Sequence, residues 1–133
     1  MNKLRYSRRA AAALILSPDP LGGALVGAAA ELAGFRAEFT HPKEQLRTAL
    51  SRLKPSHILI DCDDPTSRDE TALGPALMTG ARLFFFGTAS NTDALRAVAE
   101  RYQARIIVLP GDIERLQEIL TRRPSPIREL SPR

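Results

Sequence analysis

The stretch SHILIDCDDP, residues 56–65, decides the fold. Three consecutive aliphatic residues, Ile58, Leu59 and Ile60, end in Asp61, and Asp63 and Asp64 follow before Pro65. An apolar run without polar alternation describes a strand covered on both faces, as in a parallel sheet. A buried strand that opens onto carboxylates places them beyond its C-terminal end, where doubly wound sheets bind ligands.

Similar runs recur on either side. The stretch AAALILS ends a first strand near Ser17, ARLFFF ends a fourth at Phe86, and residues 105–109 form a fifth. A shorter second strand covers residues 36–39. Helix-type segments alternate with them. Leu21, Ala24, Leu25, Ala28, Ala29 and Leu32 have the spacing of one helical face, expected to be buried, with Gly34 ending the helix. Pro42 suits the first turn of a second helix that buries Leu46, Ala49, Leu50 and Leu53. Ser67 and Glu70 read as a capping box for a third, which Gly74-Pro75 shortens or kinks. A fourth begins near Asn91 or Thr92 and buries Leu95, Val98, Ala99 and Tyr102. Asp112 is placed to cap a fifth that buries Ile113, Leu116, Ile119 and Leu120. Five strands alternating with five helices predict an α/β fold, a doubly wound parallel sheet with helices on both faces.

A chain of 133 residues suits one domain. Its 44% hydrophobic and 26% charged composition is that of a globular protein, so disorder is not the default reading. No apolar run approaches the ~20 residues of a membrane span. Residues 10–16 follow basic residues as a signal core would, but the run is short and Ser17-Pro18-Asp19-Pro20 breaks it. The single cysteine, Cys62, excludes an internal disulfide and a cysteine-only zinc site. A cytoplasmic protein is the expectation.

The net charge of +4 is unevenly spread. Lys3, Arg5, Arg8 and Arg9 give the first ten residues +4, and residues 122–133 carry +3, leaving 11–121 at −3. The expected organisation is a basic arm over 1–8, a folded domain over 9–121, and an Arg/Pro-rich tail over 122–133. Such ends read either as solubilising tails or as contacts for an acidic partner or nucleic acid.

The order of elements, and four short motifs, resemble the receiver domain of bacterial response regulators. KPSHILID, residues 54–61, is similar to the family's Lys-Pro-Asp, four apolar residues and Asp. That resemblance puts Asp61 on the phosphoacceptor position. SPDPLGG, residues 17–23, lies where the family reads Asp-Asp-Asp-Pro-Leu. FFFGTA, residues 84–89, places Thr88 on the family's hydroxyl position. VLPGDIERL, residues 108–116, is similar to the Lys-Pro turn into the last helix. The resemblance implies the sheet order 2-1-3-4-5 of flavodoxin-like folds, with Asp19, Asp61 and Thr88 at one edge.

The resemblance also implies that several of the family's residues are missing. Ser17 and Pro18 stand where the family has the acid pair that holds Mg²⁺. Leu109 stands where it has the lysine that balances phosphate, and Ile106 where it commonly has an aromatic residue. Phosphoryl transfer to a carboxylate rests on positioning and electrostatic neutralisation, and these substitutions remove both. The first expectation is therefore a pseudo-receiver: a phosphorylation-independent, non-enzymatic signalling module that binds another protein and needs no cofactor. Its partner surface would be the face of the fourth helix, fifth strand and fifth helix, as in a homodimer, using Arg96, Arg101, Arg115 and Glu118. One alternative is a single-domain response regulator of a phosphorelay, phosphorylated on Asp61, with Mg²⁺ held by Asp19, Asp61 and the backbone carbonyl of Asp63. Another is a nucleic-acid-associated protein binding through its basic ends.

Other residues carry less. Asp63 and Asp64 read as loop acids, and Cys62 as a small buried residue. His57 falls at the start of its strand, far from Asp61, and His41 faces solvent or caps. Gly22, Gly23 and Gly27 do not form a dinucleotide fingerprint, and no P-loop is present.

Overall fold

The computed structural model describes residues 10–122. The expected arm over 1–8 and nearly all of the tail over 122–133 lie outside the described residues.

The strands are β1 (Ala12–Leu16), β2 (Arg36–Phe39), β3 (His57–Asp61), β4 (Arg82–Gly87) and β5 (Arg105–Val108). They form one all-parallel sheet in the order β2-β1-β3-β4-β5. The helices are α1 (Pro20–Leu32), α2 (Leu46–Leu53), α3 (Glu70–Met78), α4 (Ala89–Asp93), α5 (Arg96–Arg101) and α6 (Leu116–Thr121). Short 3-10 turns, Pro65–Arg68 and Gly111–Arg115, precede α3 and α6.

Alternate strand residues feed two cores, one on each face. Leu14, Ile58, Ile60, Leu83 and Phe85 pack with Ala49, Leu73 and Leu95 on one side. Ile15, Leu59, Phe84, Phe86 and Ile107 pack with Val26, Leu116 and Ile119 on the other. The three consecutive phenylalanines are fully buried, and each contributes about 2–3 kcal/mol of transfer free energy.

Helix α1 is oriented differently from the expectation. Gly23, Val26, Gly27 and Ala30 face the sheet, while Leu21 and Leu32 are 80% and 82% exposed. Both faces of this helix are apolar, so periodicity did not choose between them. Close approach did. A Cβ on Gly27 would come within 3.1 Å of the Phe39 ring and 3.5 Å of Ile15.

Several helix starts also differ. Pro42 lies in a turn and α2 begins at Leu46, because the Glu44 carboxylate instead accepts from the His41 N–H and ion-pairs with Arg52. The capping box does not form. Ser67 is buried and its hydroxyl donates to the Cys62 and Asp64 carbonyls, and Asp69 caps α3. The expected fourth helix is broken into α4 and α5 and starts earlier, with Thr88 as its cap. The Asp112 carboxylate accepts from the Val108 N–H rather than capping a helix.

His57, the first residue of β3, fixes the last helix. Its Nε2 lies 2.9 Å from the Leu120 carbonyl, and its Nδ1 lies 2.7 Å from Ser56 Oγ. A carbonyl only accepts, so Nε2 carries the proton and Nδ1 accepts from the serine. The ring stacks on Phe84 and meets Phe35 edge-on.

Candidate functional site

The sheet order reverses between β1 and β3, so a crevice opens above their C-terminal ends. Leu16 pairs with Ile60, which brings Ser17 beside Asp61. Asp61 pairs with Phe86, which brings Thr88 to the same edge from β4. Asp19, Asp61 and Thr88 all reach this edge, as the order of elements implied, and Asp63 follows Asp61 there.

What each side chain does there is specific. Ser17 Oγ donates to Asp61 Oδ2 at 2.7 Å, and the Asp19 N–H donates to Ser17 Oγ at 3.1 Å. The hydroxyl thus uses its one proton on Asp61 and a lone pair on the loop. The other Asp61 oxygen, Oδ1, accepts from the Asp63 N–H at 2.8 Å. Asp61 is 8% exposed, with both carboxylate oxygens engaged.

The other acids turn away. Asp19 caps α1, its Oδ1 accepting from the Leu21 N–H at 3.1 Å. The Asp63 side chain accepts from Asn91 Nδ2 at 3.2 Å. Asp64 caps the following 3-10 turn. Among the described residues, no three His, Cys, Asp or Glu side chains gather as a metal cluster. At the two positions after β1 where the resemblance to receivers implies an acid pair for a divalent cation, this chain has a serine hydroxyl already bonded to Asp61 and a proline. Neither residue brings the negative charge with which carboxylates hold a hard cation.

Thr88 Oγ1 is exposed and turned toward its own helix, accepting from the Asn91 N–H at 3.4 Å. Leu109 follows β5, half-buried against the second core, with its N–H on the Gly87 carbonyl. It brings no charge to the crevice. Ile106 packs into the first core. The guanidinium of Arg68, seven positions after Asp61, donates to the Cys62 carbonyl.

Cys62 is buried, and a Cβ on Gly87 would come within 3.3 Å of its Cβ and Sγ. Burial, and then the neighbouring Asp61, push its thiol up to about 11. The thiolate is the nucleophilic form, so the cysteine is inert near neutral pH. The sequence flagged Asp61 and the loss of its partners. The Ser17–Asp61 bond, spanning 44 positions, was visible only as a serine in place of an acid.

No protein-family model and no curated protein sequence matches the chain. Among solved structures, a response regulator from Thermotoga maritima is similar, with a TM-score of 0.59 at 15% identity. The alignment covers 84% of this chain and 94% of that one. The two chains share the five-stranded α/β fold over nearly the whole of the regulator's length.

Proposed function

We propose that the protein is a pseudo-receiver: a signalling module that acts by binding a protein partner and does not depend on phosphoryl transfer to Asp61. The observation that carries this reading is the Ser17–Asp61 hydrogen bond of 2.7 Å. It occupies an acceptor oxygen with a neutral donor where the fold otherwise gathers metal-binding acids. Leu109 supplies no compensating charge after β5. A phosphoryl group on Asp61 would find no cation at the matched positions to neutralise it, and a like charge a few ångströms away would cost about 4 kcal/mol at an effective dielectric near 20.

The partner in this reading is a second copy, meeting through the face of α5, β5 and α6. Each of the four charged residues expected on that face already has a partner in its own chain. Arg96 pairs with Asp93 and Arg101 with Glu70, while Arg115 pairs with Asp112 and Glu118 with Arg122. Association there exchanges exposed pairs worth little each, so apolar contact between them has to supply the affinity.

Sedimentation velocity on wild type, on Asp61→Asn, and on wild type treated with a small-molecule phosphodonor tests the reading. The expected result is a concentration-dependent dimer in all three, with the same dissociation constant. A dimer that forms only after phosphodonor treatment, or that Asp61→Asn abolishes, identifies a working switch.

A further inference from the structure

Among the described residues the sheet ends in two edge strands, β2 and β5, each four residues long. Successive N–H groups of a strand point to opposite sides, so every second one on an edge strand points away from the sheet. Arg36 donates inward, to the Ala11 carbonyl, which turns the Ala37 N–H outward. Leu109 donates inward, to the Gly87 carbonyl, which turns the Val108 N–H outward. Both outward groups are occupied. The Ala37 N–H donates to Glu31 Oε2 at 2.9 Å, and the Val108 N–H donates to Asp112 Oδ2 at 2.8 Å. Each edge of the sheet thus carries a carboxylate on an outward amide.

Helix stability does not account for either acid. Glu31 lies in the last turn of α1, where a negative charge opposes the helix dipole. Gly34, at φ +97°, turns the chain back, and Glu31 reaches β2 from there. Asp112 stands at neither helix cap that follows β5, and its second oxygen lies 3.5 Å from Arg115. The strands they cover are suited to pairing. β5 contains the β-branched run Ile106, Ile107 and Val108, and β2 ends in Phe39, which is 46% exposed. A row of unpaired N–H and C=O groups on such a strand is a template for another strand.

We propose that Glu31 and Asp112 guard the two edges of the sheet, and that what they exclude is an edge strand of a second copy of this chain. The sheet is all parallel and its two edges are different strands of equal length. β2 of one copy can therefore lie beside β5 of the next and continue the same sheet. Such a head-to-tail contact does not close on itself and builds open filaments. A carboxylate on the outward amide removes the donor that an added strand has to meet. The excluded contact is distinct from the dimer proposed above, which stops at two copies.

The test is sedimentation velocity with thioflavin T fluorescence on the full chain, under conditions where circular dichroism shows each variant folded. Glu31→Ala combined with Asp112→Ala is expected to give species larger than a dimer that grow with concentration and raise the fluorescence. Glu31→Gln combined with Asp112→Asn keeps an acceptor for each N–H and is expected to stay at the wild-type size. Ser17→Ala, which loses a hydrogen bond elsewhere and keeps both carboxylates, is expected to do the same. Amide hydrogen exchange reads the two bonds without any assembly. The Ala37 amide is expected to exchange faster in Glu31→Ala and the Val108 amide in Asp112→Ala, while the inward Glu38 and Ile107 amides keep their rates. Three outcomes overturn the proposal: the alanine pair keeps the wild-type size, the Gln/Asn pair or Ser17→Ala assembles as far as the alanine pair, or exchange at Ala37 and Val108 does not change.

Discussion

Ser17 and Asp61, 44 positions apart, are joined by a 2.7 Å hydrogen bond from the serine hydroxyl to the carboxylate. Ser17→Ala leaves Asp61 Oδ2 without its donor in a largely buried position. The expected cost is about 1 kcal/mol, the typical net worth of such a bond. Urea unfolding checks it as a lower midpoint with an unchanged slope.

The same bond bears on metal. Titration of the wild type with millimolar Mg²⁺ is expected to give no saturable, localised change in the amide resonances around Asp61. Replacing both Ser17 and Pro18 by Asp restores two carboxylates after β1 and is expected to create that change. A saturable shift at Asp61 in the wild type would revive the regulated reading.

His57 makes stability depend on pH. Burial lowers its pKa from the usual 6.5, and the neutral ring is the form that accepts from Ser56 and donates to Leu120. The unfolded chain therefore binds a proton more readily than the folded one. The stabilisation is complete above pH 6.5 and is lost as pH falls below it, by up to about 1.4 kcal/mol per unit, until the lowered folded value is reached. Thermal unfolding between pH 7.5 and 4.5 reads this slope. His57→Gln keeps a donor for Leu120 and is expected to remove most of it.

The orientation of α1 separates two substitutions of similar sequence appearance. Leu32→Gln, on the exposed face, is expected to change stability by no more than about 0.5 kcal/mol. Ala30→Leu, on the face against the sheet, forces extra methylenes into a packed layer and is expected to cost about 1–3 kcal/mol. Equal effects would contradict the packing of this helix.

Strand type was legible because each buried strand is a short continuous apolar run bounded by Pro, Gly or Asp, and the sheet order came from the resemblance to receivers. The edge that gathers Asp61 and Thr88 followed from that order. The face of α1 was not legible, since Leu21, Leu25 and Leu32 compete with Val26, Ala30 and two glycines at the same helical spacing. Helix starts were misplaced wherever a polar residue found a different partner. Glu44 went to Arg52, Ser67 to the Cys62 carbonyl, and Asp112 to the Val108 N–H. In the candidate site, the missing acids and lysine could be read residue by residue. The bond that Ser17 makes instead depends on the pairing of β1 with β3, a contact between distant segments that local pattern does not encode.

In the proposed pseudo-receiver, Asp61 is not a working phosphoacceptor. Intact-mass spectrometry after incubation with a small-molecule phosphodonor and Mg²⁺ tests it most directly, with Asp61→Asn as the reference. The expected result is no phosphoryl adduct on the wild type beyond the level on Asp61→Asn. A near-stoichiometric adduct on the wild type, absent from the mutant, would contradict the claim.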